Sequence, residues 1–193
     1  MHVNPAALAR GVALGAVLLA TGILAWRVAG PALERAWWTA ELLRAEPPRS
    51  LPVPVEGVEG GDLGDTWGEA RGSDRSHEGI DIFSRRRTPV RSTTPGLVAR
   101  RGENPLGGRT ITILGPGGWR HYYAHLEGWG GHAEGDRVAA GEVIGFVGTS
   151  GNAPADAPHL HYGIYTREGP RNPYPLLDGS AAGGAESRPS PEP

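Results

Sequence analysis

The sequence contains no cysteine among its 193 residues. This absence excludes a disulfide framework, a zinc site with thiolate ligands, a thiol nucleophile and a lipidated cysteine anchor. Net charge is also low, with a formal charge of -2 at pH 7, so nothing indicates a nucleic-acid-binding surface or a nucleic-acid partner. Glycine and proline are abundant instead, with 31 and 18 residues. Without a collagen-like period, this composition predicts many turns and some disordered sequence.

One long apolar run lies near the N-terminus. Gly11 to Trp26 has Thr21 as its only polar side chain. As a helix the run spans about 24 Å, slightly less than a bilayer core of about 30 Å, and Arg10 and Arg27 at its ends can reach the headgroups. We interpret residues 1–30 as an uncleaved transmembrane anchor, because no clean small-x-small cleavage site follows. A cleaved signal segment and a buried core helix are the alternatives.

The segments that flank the main domain have simpler patterns. Residues 31–50 are predicted to form a juxtamembrane helix that starts at Pro31 and a linker that begins at Pro47-Pro48. The helix either extends the membrane helix, lies on the bilayer or is a plain spacer. Residues 179–193 contain no large apolar side chain, so they are predicted to be a disordered tail.

Residues 51–178 are predicted to form one all-β domain. No long 3.6-residue hydrophobic period occurs there, and short strands alternate with Gly and Pro turns. The clearest strands are RTITIL at 109–114, WRHYYAHL at 119–126 and HLHYGIY at 159–165. Many short strands at close spacing predict a compact antiparallel sandwich or barrel.

Six of the seven histidines fall in this domain. His159 and His161 stand two apart in a predicted strand, so their imidazoles share one face and Leu160 points into the core. This arrangement suits two ligands for one metal, or one ligand beside a catalytic neighbour. A bare His-x-His pair is weak evidence by itself.

The stretch SHEGIDIF at 76–83 opens like a His-Glu-x-x-His helix but has Asp81 in place of the second His. Gly79 and the β-branched residues that follow it favour a strand over a helix. In a straight strand His77 and Asp81 would lie about 13 Å apart, too far to share an ion. If both are ligands, the chain must bend between them, and Gly79 is placed to allow that bend. The alternative is a surface loop that enters a strand.

A third histidine-rich stretch is YYAHL at 122–126. Strand alternation places His121, Tyr123 and His125 on one face and leaves the other face for the core. Taken alone, His121 and His132 are interpreted as surface histidines.

Together these stretches resemble the lysostaphin/LytM-type zinc metallopeptidases of bacterial cell walls, which have the duplicated hybrid motif fold. Three motifs occur in the order of that family: His77-x-x-x-Asp81, Tyr123-Ala124-His125-Leu126 and His159-Leu160-His161. Connecting phrases such as GDRVAAGEVIGFVGTSGN and RNPYPLL are similar too. The resemblance runs from about Leu51 to Leu177 and does not cover the N-terminal segment.

The resemblance implies a compact antiparallel β fold with one zinc ion in a groove. By motif position, His77, Asp81 and His161 would bind the metal, and His125 and His159 would be the catalytic pair. With no Glu at the base position, His159 is assigned as the base and His125 as the residue that stabilises the oxyanion. Tyr123 and Asn152 are candidate substrate-binding residues in the groove.

The family's substrate class is peptidoglycan stem or cross-bridge peptides, which lie outside the cytoplasmic membrane. This implies a single-pass protein of the bacterial inner membrane with its domain in the periplasm. A plain count of positive charges around the apolar run, with Arg10 before it and Arg27, Arg35 and Arg44 after it, would place the domain inside the cell instead.

Two other interpretations remain open at this stage. One is a membrane-anchored, non-catalytic relative that regulates cell-wall hydrolases, with an amidase or a divisome protein as its partner. The other is a metalloprotease that acts on a protein substrate. All five motif positions are filled, which favours an active peptidoglycan hydrolase.

Overall fold

The computed structural model describes the backbone of residues 5–72 and 74–179, and side chains from residue 13 onward with the same gap. The described residues divide into two compact units, with the boundary between Ala40 and Glu41. The predicted disordered tail lies outside the described residues, except for Gly179.

The described part of the first unit is helical, and its helix ends four residues past the unit boundary. Helix α1 extends from Pro5 to Arg44 and passes through Pro31 without ending, so the two predicted N-terminal helical segments are continuous. Its stretch Ala13–Arg44 contains an 18-residue window with a mean hydropathy of 1.7 and is long and apolar enough to cross a membrane. Leu14, Leu18 and Trp26 are exposed, which is the opposite of a buried core helix. A membrane span and a signal sequence both have this pattern.

The second unit contains nine strands and one further short helix. The strands are β1 (Ile80–Phe83), β2 (Pro89–Arg91), β3 (Gly96–Asn104), β4 (Gly108–Leu114), β5 (Arg120–Trp129), β6 (Arg137–Val138), β7 (Val143–Val147), β8 (His159–Thr166) and β9 (Gly169–Arg171), and α2 is Tyr174–Leu177. The predicted strands within 79–83, 109–114, 119–126 and 159–165 are confirmed as β1, β4, β5 and β8. Strands β2 and β9 were not predicted, since each has only three residues and one of the three is proline.

All pairings within the sheet are antiparallel. The main path runs β1-β8-β5-β4-β3-β6, and β9 pairs with β8. Strand β5 has two partners on one side, since residues 120–124 pair with β8 and residues 126–129 pair with β7. The prediction of an antiparallel all-β domain is therefore confirmed.

The core lies under this sheet. Ile80 and Ile82 of β1, Ile111 and Ile113 of β4, and Leu160 of β8 are almost completely buried. Each pair stands two apart in its strand, so one face of each strand is fixed against the core. The side chains that alternate with these core residues in β1 and β8 therefore point to the opposite face of the sheet, and they include Asp81 and His161.

Candidate functional site

Three side chains converge where β1 meets β8. His77 Nε2 lies 2.8 Å from His161 Nδ1 and 3.1 Å from Asp81 Oδ1, and His161 Nδ1 lies 3.2 Å from the same oxygen. Zinc bonds of about 2.0–2.2 Å in a tetrahedral site place ligand atoms roughly 3.3–3.5 Å apart. The two distances to Asp81 Oδ1 are therefore within about 0.4 Å of the spacing that zinc needs, and the distance between the two histidine nitrogens is shorter by about 0.5–0.7 Å. Two imidazoles with one carboxylate are a common zinc ligand set.

Strand register brings two of these candidate ligands together. Asp81 of β1 is directly opposite His161 of β8, and His161 is opposite Ala124 of β5. His77 lies in the loop before β1, as the sequence predicted, and the chain bends to bring its ring back to Asp81.

The reason for glycine at position 79 differs from the prediction. Gly79 does not adopt a left-handed backbone conformation, so conformational freedom is not what the site requires there. A Cβ atom would instead lie 2.6 Å from the Tyr162 carbonyl oxygen and 2.7 Å from His161 Cε1. Gly79 therefore provides space for the His161 ring.

The protonation of the cluster suits a metal. His77 Nδ1 donates to the Thr66 carbonyl oxygen at 2.7 Å, which leaves the lone pair of Nε2 facing the other two ligands. Burial favours the neutral acid of Asp81, but hydrogen bonds and charge from His161 and His77, whenever these rings are protonated towards it, outweigh burial and hold the pKa of that carboxyl well below its usual range. Burial lowers the pKa of His161, so its imidazole is neutral at neutral pH.

Two more imidazoles stand beside this cluster. His159 Nδ1 donates to the Ala157 carbonyl oxygen at 2.9 Å, and His125 Nδ1 donates to the Ser150 carbonyl oxygen at 2.8 Å. In both rings the remaining lone pair is therefore on Nε2. His159 Nε2 is 3.9 Å from Asp81 Oδ1. Burial lowers the pKa of His125 to about 4, which makes it a neutral imidazole at pH 7.

The backbone of His125 is unusual. Its φ of 61° lies in the left-handed region, which costs a residue other than glycine about 1 kcal/mol or more. Its N–H donates to the Gly107 carbonyl oxygen at 2.7 Å, and this bond holds the conformation. Strained backbone of this kind is concentrated at functional sites.

The left-handed residue also corrects the predicted faces of β5. Tyr123 was a candidate substrate-binding residue, but it is fully buried, and its hydroxyl contacts Thr93 Oγ1 at 2.9 Å. His121, interpreted as a surface histidine, is also fully buried. Tyr122 faces the groove instead. Regular alternation would have placed Tyr123 and His125 on one face, but the turn of the backbone at His125 breaks it.

The groove in front of the cluster has a volume of about 560 Å³. It is lined by the cluster of His77, Asp81 and His161, by the histidine pair, and by Tyr122, Leu106 and Asn152. Asn152 lies on the loop before β8 and lines this groove, and its role in substrate binding stays a prediction. His132 is remote from the groove and pairs with Glu142 at 3.0 Å.

The residues of this site lie inside a match to a known family. The model of peptidase family M23 matches residues 75–173, about half of the chain. The chain belongs to peptidase family M23. The M23 match contains the three candidate ligands His77, Asp81 and His161, and also His125, His159 and Asn152. Thr66, which accepts the His77 hydrogen bond, lies before it.

Relatives of the M23 segment have named activities. The chain is 44% identical over 124 residues to the L-Ala–D-Glu endopeptidase of Bacillus subtilis strain 168. This alignment covers 58% of this chain and 38% of that protein. It is 39% identical over 99 residues to the DD-carboxypeptidase/endopeptidase Mpg of Neisseria meningitidis serogroup B, covering 51% of this chain and 22% of that protein. The chain therefore spans less than two fifths of the length of either relative.

A solved structure shares the fold. The catalytic domain of lysostaphin from Staphylococcus simulans superimposes with a TM-score of 0.54 at 29% identity, over 61% of this chain and 94% of that domain. The predicted resemblance to lysostaphin/LytM-type peptidases is thus confirmed. The residue roles that it implied remain proposals.

Proposed function

We propose that this protein is a zinc-dependent endopeptidase that hydrolyses peptide bonds in the stem or cross-bridge peptides of peptidoglycan. The observation that carries the proposal is the convergence of His77 Nε2, Asp81 Oδ1 and His161 Nδ1 to within 2.8–3.2 Å of one another. These three residues would hold one zinc ion, and three protein ligands leave a position open, as in catalytic zinc sites. When bound, zinc supplies Lewis acidity that polarises the scissile carbonyl and acidifies water.

The two other histidines would move the proton. Their Nδ1 hydrogen bonds to Ala157 and Ser150 orient both Nε2 atoms towards the groove. We assign His159 as the general base, which accepts the proton of the attacking water at Nε2. His125 stabilises the oxyanion only while Nε2 carries a proton, and the negative charge that develops on the carbonyl oxygen favours that proton.

The groove would orient the substrate peptide. Asn152 is exposed on the loop before β8 and offers both a donor and an acceptor for a peptide backbone. Tyr122 lines the groove in place of Tyr123, and Tyr165 lines it as well. The two relatives are named for different bonds.

The location of the substrate orients the chain. We propose that α1 anchors the protein in the bacterial inner membrane and that residues 51–178 act in the periplasm. Protease added to intact spheroplasts should then degrade the M23 domain. Protection of the domain until the membrane is lysed would place it in the cytoplasm.

The function is tested by digestion of purified, cross-linked peptidoglycan with the full chain, followed by mass analysis of the released fragments. New peptide ends should appear with zinc and disappear when the metal is chelated or when His159→Ala is used. A folded, zinc-loaded protein that releases no new ends would contradict the proposal. It would favour a regulator of cell-wall hydrolases, with an amidase or divisome protein as its partner.

A further inference from the structure

A small hairpin before β1 carries one of the proposed metal ligands. The His77 N–H donates to the Glu69 carbonyl oxygen at 2.9 Å, and the Gly68 N–H donates to the His77 carbonyl oxygen at 3.0 Å. Nearer the turn, the Arg71 N–H donates to the Arg75 carbonyl oxygen at 2.8 Å. These bonds hold the segment Thr66–Arg71 beside His77. That segment lies before residue 75, where the family match begins.

Thr66 contacts two of the ligands at once. Its carbonyl oxygen accepts the Nδ1 hydrogen bond of His77 at 2.7 Å, and its Oγ1 accepts the backbone N–H of Asp81 at 3.0 Å. The first bond selects the tautomer of His77 and fixes the ring plane. The second fixes the start of β1, where Asp81 leaves the backbone. One residue therefore sets the relative position of His77 and Asp81.

Arg71 contacts the outer oxygen of Asp81. One of its terminal guanidinium nitrogens donates to Asp81 Oδ2 at 2.5 Å, whereas Asp81 Oδ1 faces His77 and His161. The same nitrogen is 2.9 Å from His77 Nδ1, but Nδ1 already carries the proton given to Thr66 and cannot accept a second one. The carboxylate is thus divided, with one oxygen for Arg71 and one for the ligand cluster.

The division has an electrostatic reason. The side chain of Asp81 is only 7% exposed, so its charge needs a partner on each oxygen. Arg71 supplies that partner for Oδ2 and prevents the carboxylate from rotating. Its other ion pair, with Glu69 at 3.6 Å, is long and solvent-exposed and contributes little.

We propose that the segment Thr66–Arg71 is the outer shell of the metal site and that Arg71 is a positioning residue that presents Asp81 Oδ1 to zinc. The inference rests on the metal site of the proposed function. Outer-shell partners of zinc ligands typically change metal affinity or activity by about ten- to hundredfold. Arg71 and Thr66 act through the ligands and need not touch the substrate.

The test measures zinc affinity and not only activity. The full chain, purified in a mild detergent, is stripped of metal and titrated with Zn²⁺ in competition with a chromogenic chelator. Arg71→Gln should raise the zinc dissociation constant by about ten- to hundredfold. The zinc dissociation constant of Arg71→Lys should lie between those of the unmodified chain and Arg71→Gln, because an ammonium group keeps the charge but loses the planar donor geometry. Arg75→Gln, in the same hairpin, is the matched control and should bind zinc like the unmodified chain.

A second residue makes the test independent of Arg71. Thr66→Val removes the acceptor for the Asp81 N–H but keeps the shape of the side chain, and should also weaken zinc binding. Thr66→Ser keeps the hydroxyl and should restore it. Circular dichroism of the metal-free variants identifies any that fail to fold, so a weakened affinity is attributed only to folded protein.

The outcomes separate this inference from the proposed function. If the unmodified chain binds no zinc, the proposed function fails. If it binds zinc and folded Arg71→Gln and Thr66→Val bind zinc equally tightly, the outer-shell assignment is overturned while the metal site stands. Weaker binding in both variants, with Arg75→Gln unchanged, supports the inference.

Discussion

The imidazole rings of His125 and His159 meet edge to face, with their centroids 4.9 Å apart. They come from different strands, β5 and the start of β8. His125 Nδ1 donates to the Ser150 carbonyl oxygen, and His159 Nδ1 donates to the Ala157 carbonyl oxygen. Both acceptors, Ser150 and Ala157, lie in the loop between β7 and β8, so this one loop holds the two imidazoles beside the cluster of His77, Asp81 and His161. Both histidines can therefore take part in one proton-transfer reaction.

The two members of this pair should respond differently to glutamine. Glutamine can donate a hydrogen bond but cannot accept a proton at neutral pH, so it can replace an oxyanion donor and not a base. We expect His159→Gln to lower kcat by about 10²- to 10⁴-fold and His125→Gln to lower it by less. Initial rates on a defined peptidoglycan peptide measure both. A larger loss for His125→Gln would exchange the two assigned roles.

Space at residue 79 should be essential. In Gly79→Ala the new methyl group would collide with the Tyr162 carbonyl oxygen and the His161 ring. Overpacking of this kind costs about 1–3 kcal/mol of unfolding free energy and should also displace a metal ligand. Gly131 has open space around it, so Gly131→Ala is the control. Urea unfolding and zinc titration of both variants test the claim. If Gly79→Ala has the same stability and zinc affinity as the unmodified chain, the claim is refuted.

Asn152 should act on substrate binding. It lines the groove without belonging to the ligand cluster or the histidine pair. Asn152→Ala should therefore raise KM by about tenfold or less while kcat changes little, as loss of uniform binding requires. Steady-state kinetics on the same peptide separates the two parameters. A fall in kcat at constant KM would instead assign Asn152 to the transition state.

Buried His121 should make the domain sensitive to acid. Burial lowers its pKa to about 4 in the folded chain, whereas an unfolded chain has the ordinary value of about 6.5. The unfolded state therefore binds more protons, and stability is complete above pH 6.5 and is lost as pH falls towards 4. The loss attributable to His121 is about 3 kcal/mol at pH 4.

His121→Gln removes this proton-binding group. Its unfolding free energy should fall less steeply than that of the unmodified chain between pH 6.5 and 4, and the two curves should run parallel above pH 7.5. Urea unfolding at a series of pH values gives both curves. Parallel curves over the whole range would show that His121 does not carry the acid sensitivity.

Much of the site was accessible from sequence because it depends on local periodicity. His159 and His161 share a face because they stand two apart in a strand, and Leu160 between them is in the core. The bend between His77 and Asp81 was predicted on the condition that both residues are ligands, because a straight strand would hold them too far apart. These inferences needed only strand geometry and the reach of a metal–ligand bond.

Other features depend on contacts distant in sequence. The left-handed backbone at His125 is held by Gly107, and it reverses the predicted faces of Tyr122 and Tyr123. His121 is buried against Tyr162 and Thr93, which are 41 and 28 residues away in sequence. Nothing in the letters between 66 and 71 shows that Thr66 and Arg71 reach the ligands. Pattern reasoning cannot supply such tertiary contacts.

The most direct test of the central claim is reconstitution of activity with metal. The full chain is stripped with a chelator, and its rate on a defined peptidoglycan peptide is recorded as Zn²⁺ is added back. The account predicts a rate that rises linearly until one zinc per chain is present and then levels off, with no recovery in His161→Ala. Full activity in the metal-free chain, or recovery in His161→Ala equal to that of the unmodified chain, would contradict it.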